Sequence, residues 1–185
     1  RALGGTPDTT IPETRFGDSS AEVQAILKPA VEAGRLNIEF NRDLGGSLSM
    51  ADLESFDAVF LGLGLGDSVS LGKAGNVMGA LAFLAEAKKG IRTEVPEKVA
   101  VLGGGNTAMD AAMTAKELGA RDVYLVYRRS FKEMPAWPEE RNACLDAGVH
   151  FVILTQPLGY ETDEHGNVRA LDVIRTELGT PDASG

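Results

Sequence analysis

Gly103, Gly104 and Gly105, followed by Asn106, Thr107 and Ala108, are the residues of this chain whose spacing could hold a phosphate. Read as G-x-G-x-x-A, the anchors are Gly103, Gly105 and Ala108. Gly103 permits a tight bend after a strand. Gly105 has no Cβ, so a pyrophosphate can come against the backbone. Ala108 lets the following helix lie close to the strand. The start of that helix would offer unpaired N–H groups and the positive end of its dipole to an anion. Asn106 or Thr107 is expected to cap the helix or to hydrogen-bond a phosphate. The plainer alternative is a glycine-rich turn with no ligand. An apolar strand before the turn, a helix after it and a second strand next weigh against that alternative.

The second chemical signal is Arg128 and Arg129, which close the predicted strand "DVYLVY". A dinucleotide fold usually carries an acidic residue about 20 positions beyond its first glycine to bind the ribose 2′-OH. No carboxylate stands at this strand tip. An arginine cannot accept from a hydroxyl, but its planar donors suit a 2′-phosphate. The sequence therefore favours NADP(H) over NAD(H), with Lys132 adding charge nearby. The competing reading is a solvated strand end whose arginines pair with Glu133 or Glu139.

The remaining candidates are thin. Cys144 reads as a buried structural thiol on a helix. His150 and His165 have no ligand spacing to another His or Cys, so no metal site is expected. The carboxylates of "EMPAWPEE" suit the first turn of a helix, and Trp137 reads as a core or surface anchor. No serine sits in a nucleophile elbow. "GLGLGD" at 62–67 has glycines at every second position and opens no convincing helix, so it reads as the end of a buried strand. The expected catalytic set is therefore empty. Hydride transfer from a nicotinamide to a flavin needs positioning more than an acid–base residue.

The elements that must position these groups follow from the pattern. Residues 1–18 are expected to be loop, and a helix capped by Ser19 or Ser20 runs to about Ala33, interrupted by Pro29. Residues 36–40 and 56–64 read as strands, the latter a continuous apolar run. A helix over 77–88 stops at Gly90. Then come a strand at 98–102, a helix at 106–118 closed by Gly119, a strand at 122–127, a helix at 139–147 closed by Gly148 and a strand at 149–155. A hairpin of 158–162 and 168–176 turns around "DEHGN". Strand–helix alternation after residue 98 calls for a parallel sheet with crossover helices. Acidic residues outnumber basic ones, 27 to 18, for a formal charge of −9. That argues against nucleic acid or an anionic membrane surface as partner. A single cysteine excludes an intrachain disulfide and fits a reducing, cytoplasmic setting. No apolar run approaches a membrane span.

The stretch "VAVLGGGNTAMDAAMTAKELGARDVYLVYRRSFKEMPAWPEE" closely resembles the nucleotide domain of the glutamate synthase small (β) subunit family. That group includes related FAD-dependent pyridine-nucleotide oxidoreductases and the flavin part of dihydropyrimidine dehydrogenase. "IPETRF", "FDAVFLGLG" and "RTELGTPDASG" resemble its flanking segments, and the likeness is strongest over 97–178. The resemblance implies an NADPH unit inserted into an FAD unit, with NADPH giving hydride to FAD and electrons passing through iron–sulfur clusters to a partner subunit. It implies that Gly103, Gly104, Gly105, Asn106, Thr107 and Ala108 hold the pyrophosphate, and that Arg128 and Arg129 hold the 2′-phosphate. The family's cysteine-rich domain, its first G-x-G-x-x-G, its closing FAD segment and the Pro-Gly-Glu of its linker have no counterpart here.

The expected organisation is a Rossmann-like α/β fold with a β-hairpin, beside a partial remainder of an FAD-binding unit. Residues 1–70 would be the FAD-unit segment and linker, and 71–185 the NADPH-binding domain. The expected role is the NADPH-binding portion of a glutamate-synthase-type flavoprotein oxidoreductase, inactive alone. Its partners would be the FAD and iron–sulfur portions of the parent and a large glutamate synthase subunit. The alternative is a nucleotide-sensing or interaction domain without redox turnover. A stand-alone dehydrogenase is disfavoured by the lack of a positioned acid–base residue.

Overall fold

The computed structural model describes residues 5–17, 19–63, 71–72 and 74–180. The chain divides into two compact units, Arg1–Gly66 and Asp67–Gly185.

The first unit holds α1 (Thr6–Thr9), α2 (Glu13–Phe16), α3 (Ser19–Glu32) and α4 (Met50–Leu53). Two single-turn helices stand where loop was expected. Proline in the first turn of α1, and Pro12 as the N-cap of α2, preset backbone angles that start a turn. α3 forms as expected with Pro29 inside it, and the chain leaves it through Gly34 at φ 67°. The capping expected of Ser19 and Ser20 concerns side chains outside the described residues. α4 is closed by a reciprocal box: Ser49 N–H donates to Asp52 Oδ2 at 2.8 Å, and Asp52 N–H donates to Ser49 Oγ at 3.3 Å.

Neither strand expected in this unit forms among the described residues. Residues 36–40 and 56–63 join no ladder. An apolar run supplies strand propensity, but a parallel strand also needs a neighbour for its N–H and C=O groups. The run instead lies bare, with Phe60 94% exposed and Val59, Leu61 and Leu63 also exposed. The continuation of that expected strand from Gly64, and most of the glycine-rich linker, lie outside the described residues.

The second unit follows the predicted alternation: α5 (Ala80–Lys88), β1 (Lys98–Leu102), α6 (Asn106–Glu117), β2 (Asp122–Val126), α7 (Pro138–Asp146), β3 (His150–Val152), β4 (Thr155–Thr162) and β5 (Val168–Arg175). β1, β2 and β3 pair in parallel in that order, with Leu102 opposite Val126 and Val126 opposite Val152. β4 and β5 form an antiparallel hairpin. The core gathers Met109, Ala112 and Ala115 of α6, Val123 and Leu125 of β2, and Cys144 of α7. Small residues on α6 leave no bulk between helix and sheet, so the helix can lie close. Alternation along β2 leaves Tyr124 37% exposed on the face opposite Val123 and Leu125. Gly119 at φ 97° and Gly148 at φ 77° end α6 and α7, as the sequence indicated.

Candidate functional site

β1 and β2 are adjacent parallel strands, so the segments leaving their C-terminal ends emerge side by side. The glycine turn leaves β1, and the arginine segment leaves β2. Gly103 takes φ 135°, a conformation that L side chains rarely adopt, and its N–H donates to Val126 O at 3.0 Å. A Cβ at Gly103 would lie 3.5 Å from the Ala108 Cβ, so Ala108 and Gly103 meet where helix and strand pack. At Gly104 a Cβ would lie 2.6 Å from the Tyr127 ring, and Gly104 is buried. Gly105 differs: a Cβ there meets nothing within 4 Å. Packing inside this chain does not require glycine at that position.

Gly105 is the N-cap of α6, and no side chain caps the helix. The cap expected from Asn106 or Thr107 is absent because the Asn106 side chain is engaged elsewhere: its Oδ1 accepts from Trp137 N–H at 2.9 Å. The Gly105 carbonyl accepts from the N–H groups of Ala108 and Met109. The N–H groups of Asn106 and Thr107, at the first positions of the helix, meet no acceptor among the described residues, and Thr107 is exposed. Open space in front of Gly105 and unbonded helix N–H groups behind it make a cradle for an anion.

Residues 127–137 return across this turn. Ala136 N–H donates to Gly104 O at 2.9 Å, and Tyr127 Oη donates to Glu133 O at 2.8 Å. Ser130 Oγ donates to Glu133 Oε2 at 2.5 Å, which holds the Glu133 carboxyl below the usual carboxylate range. The arginine segment is held from the other side by its carbonyls. Tyr127 O accepts from Thr155 N–H at 3.0 Å, Arg129 O from Leu154 N–H at 3.0 Å, and Arg128 O from Thr176 Oγ1 at 2.6 Å. Arg128 is exposed, and its guanidinium makes no ion pair or hydrogen bond among the described residues. Glu133 accepts from Ser130, and Arg128 pairs with neither Glu133 nor Glu139 among the described residues, so the competing reading of Arg128 and Arg129 does not hold for Arg128.

Tyr127, Leu154 and Thr176 are contributors that the sequence did not single out. Leu154 sits at φ 50°, unusual for leucine and costing about 1–2 kcal/mol. That kink ends β3 early and starts β4 at Thr155, so the strand expected over 149–155 is short and the hairpin begins sooner than predicted. No local pattern marks these three residues: the Thr176–Arg128 bond, for one, spans 48 positions.

The other candidates play structural parts. Cys144 is fully buried, its Sγ lies 3.7 Å from Met109 O, and burial, with Glu140 and Asp110 nearby, pushes its thiol up to about 12. His150 stacks on Tyr124 with ring centroids 5.0 Å apart. His165 occupies the hairpin turn, where its N–H donates to Asp163 Oδ1 at 2.9 Å. Trp137 precedes α7 as its N-cap. Among the described residues no cluster of His, Cys, Asp and Glu could hold a metal ion, and no helix is long and apolar enough to cross a membrane.

A parallel sheet whose first strand runs through a glycine turn into a helix defines the Rossmann-like α/β class. The family model described as "Pyridine nucleotide-disulphide oxidoreductase" matches residues 31–182, and the chain belongs to that family of oxidoreductases. The chain is 38% identical over 168 residues to the small chain of NADPH glutamate synthase from Escherichia coli, covering 81% of this chain and 36% of that protein. It is 38% identical over 158 residues to the β subunit of the NADPH-Fe(3+) oxidoreductase of Geobacter sulfurreducens, covering 81% of this chain and 24% of that one. The resemblance to the glutamate synthase small subunit group therefore stands. The chain spans roughly a quarter to a third of the length of these relatives. Among solved structures, FprA of Mycobacterium tuberculosis in complex with NADPH superimposes with a TM-score of 0.73 at 16% identity, covering 98% of this chain and 56% of that one. That likeness supports the fold.

Proposed function

We propose that this chain is the NADPH-holding portion of a glutamate-synthase-type flavoprotein oxidoreductase. The observation that carries the reading is the cradle at Gly105, open where a Cβ would stand, beside an arginine segment whose Arg128 guanidinium has no partner among the described residues. Gly103, Gly104 and Gly105 bring backbone against the pyrophosphate, the unbonded N–H groups of Asn106 and Thr107 face it, and Ala108 keeps the helix close to the glycine turn. Arg128 and Arg129 take the 2′-phosphate through charge-assisted bonds. When bound, NADPH supplies a hydride to FAD. No side chain here serves as acid or base. The chain's task is to orient the nucleotide.

Residues 71–185 would form this nucleotide domain, and residues 1–70 a segment of a flavin unit with its linker. The described part of the first unit has no strand–glycine turn–helix, so the FAD pyrophosphate would be held by other parts of a longer polypeptide. Relatives named as a small chain and as a β subunit support partner subunits; by the family resemblance these would include an iron–sulfur portion and a large synthase subunit. A single, buried thiol suits a cytoplasmic setting. Isothermal titration of the chain with NADPH and NADH tests the proposal. Tighter binding of NADPH, with the gap narrowed in Arg128→Asp, is expected. Equal affinity for the two, or no binding of either, overturns it.

A further inference from the structure

We infer that Thr176 is a positioning residue that sets the preference for a 2′-phosphorylated nucleotide. The inference rests on the NADPH reading above. The Arg128 guanidinium has no internal partner among the described residues, so its place is inherited from its own backbone. That backbone is pinned through three consecutive carbonyls, those of Tyr127, Arg128 and Arg129. Thr155 and Leu154 hold the outer two with main-chain N–H groups. The middle one, on Arg128 itself, is held by the hydroxyl of Thr176.

Thr176 is itself anchored. Its N–H donates to Leu154 O at 2.9 Å, and the N–H of Leu154 donates to Arg129 O at 3.0 Å. The end of the hairpin, the left-handed Leu154 and the arginine segment thus form one continuous hydrogen-bonded brace. Of its links to the arginine segment, the Thr176 hydroxyl is the one made by a side chain, so substitution can remove it while the main-chain bonds remain. A flexible cation reaching a phosphate loses less freedom on binding when its base is already fixed. NADH has no 2′-phosphate and gains nothing from that fixing.

The experiment is isothermal titration of the 185-residue chain and of Thr176→Val, Thr176→Ala and Thr176→Ser with NADPH and with NADH, each variant checked by circular dichroism. Valine keeps the shape and removes the donor. Alanine serves if the extra methyl does not fit, and serine restores the hydroxyl. Loss of the bond should weaken NADPH binding about three- to tenfold, leave NADH binding unchanged, and be rescued by serine. Retention of the full NADPH preference in both Thr176→Val and Thr176→Ala overturns the inference while leaving the NADPH reading intact. Equal weakening of both nucleotides also overturns it, since a general structural role would do that. If the unsubstituted chain shows no preference, the NADPH reading itself fails and this inference falls with it.

Discussion

Neighbouring glycines carry different burdens. A methyl at Gly104 collides with the Tyr127 ring, whereas one at Gly105 enters open space. Gly105→Ala should therefore leave the thermal midpoint nearly unchanged and weaken NADPH binding about tenfold or more, through lost N–H bonds to the anion. Gly104→Ala should lower the midpoint as well. Calorimetric melting with nucleotide titration separates the two, and a stable Gly105→Ala that binds normally would refute the cradle. Cys144 yields a prediction about pH. Its thiol stays protonated in the fold up to about 12, against 9.0 for an ordinary cysteine. Above about pH 9 the unfolded chain releases a proton that the native chain keeps. Stability from this group is thus full below that pH and declines toward pH 12, by at most about 1.4 kcal/mol per pH unit. Urea unfolding at pH 8 and pH 10 should show a smaller alkaline loss in Cys144→Ala than in the unsubstituted chain.

Among the elements, α6 shows how composition sets distance. Ala112 is fully buried against the core, so Ala112→Leu should destabilise the chain by roughly 1–3 kcal/mol. Denaturant titration would show it. At Leu154, a valine would resist the left-handed angle and should cost a further ~1 kcal/mol or more, whereas glycine relieves the strain and should cost less than valine. β1, α6, β2 and α7 were legible to within a residue or two, because local signals bound them: apolar runs, a glycine turn, and Gly119 and Gly148 as stops. Residues 36–40 and 56–63 misled for a physical reason: their apolar pattern fits a strand, but their unit presents no pairing edge among the described residues. At the site, the order of glycines, helix and arginines was readable along the chain. The engagement of Asn106 by Trp137, the fold of Tyr127 over Gly104 and the brace through Leu154 and Thr176 were not. These contacts join residues far apart in sequence, and no periodicity encodes them.

On the scale of the whole molecule, acid and apolar surface are unevenly matched. A formal charge of −9 favours solubility, while Val59, Phe60, Leu61 and Leu63 bare an apolar run in the first unit. The isolated chain should bind a hydrophobic dye and scatter light more at high salt, where charge repulsion is screened. Phe60→Lys should reduce both signals. Unchanged fluorescence and scattering would mean that the run is shielded in solution. The hydroxyl of Thr176 has another consequence, for protein engineers. Cofactor preference is commonly moved between enzymes by transplanting the stretch that carries the charged residues. Here such a graft, confined to 127–137, would leave behind a strut rooted 48 positions downstream. A recipient lacking an equivalent hydroxyl would acquire the arginines without their footing, and its selectivity would change less than the swapped charges suggest.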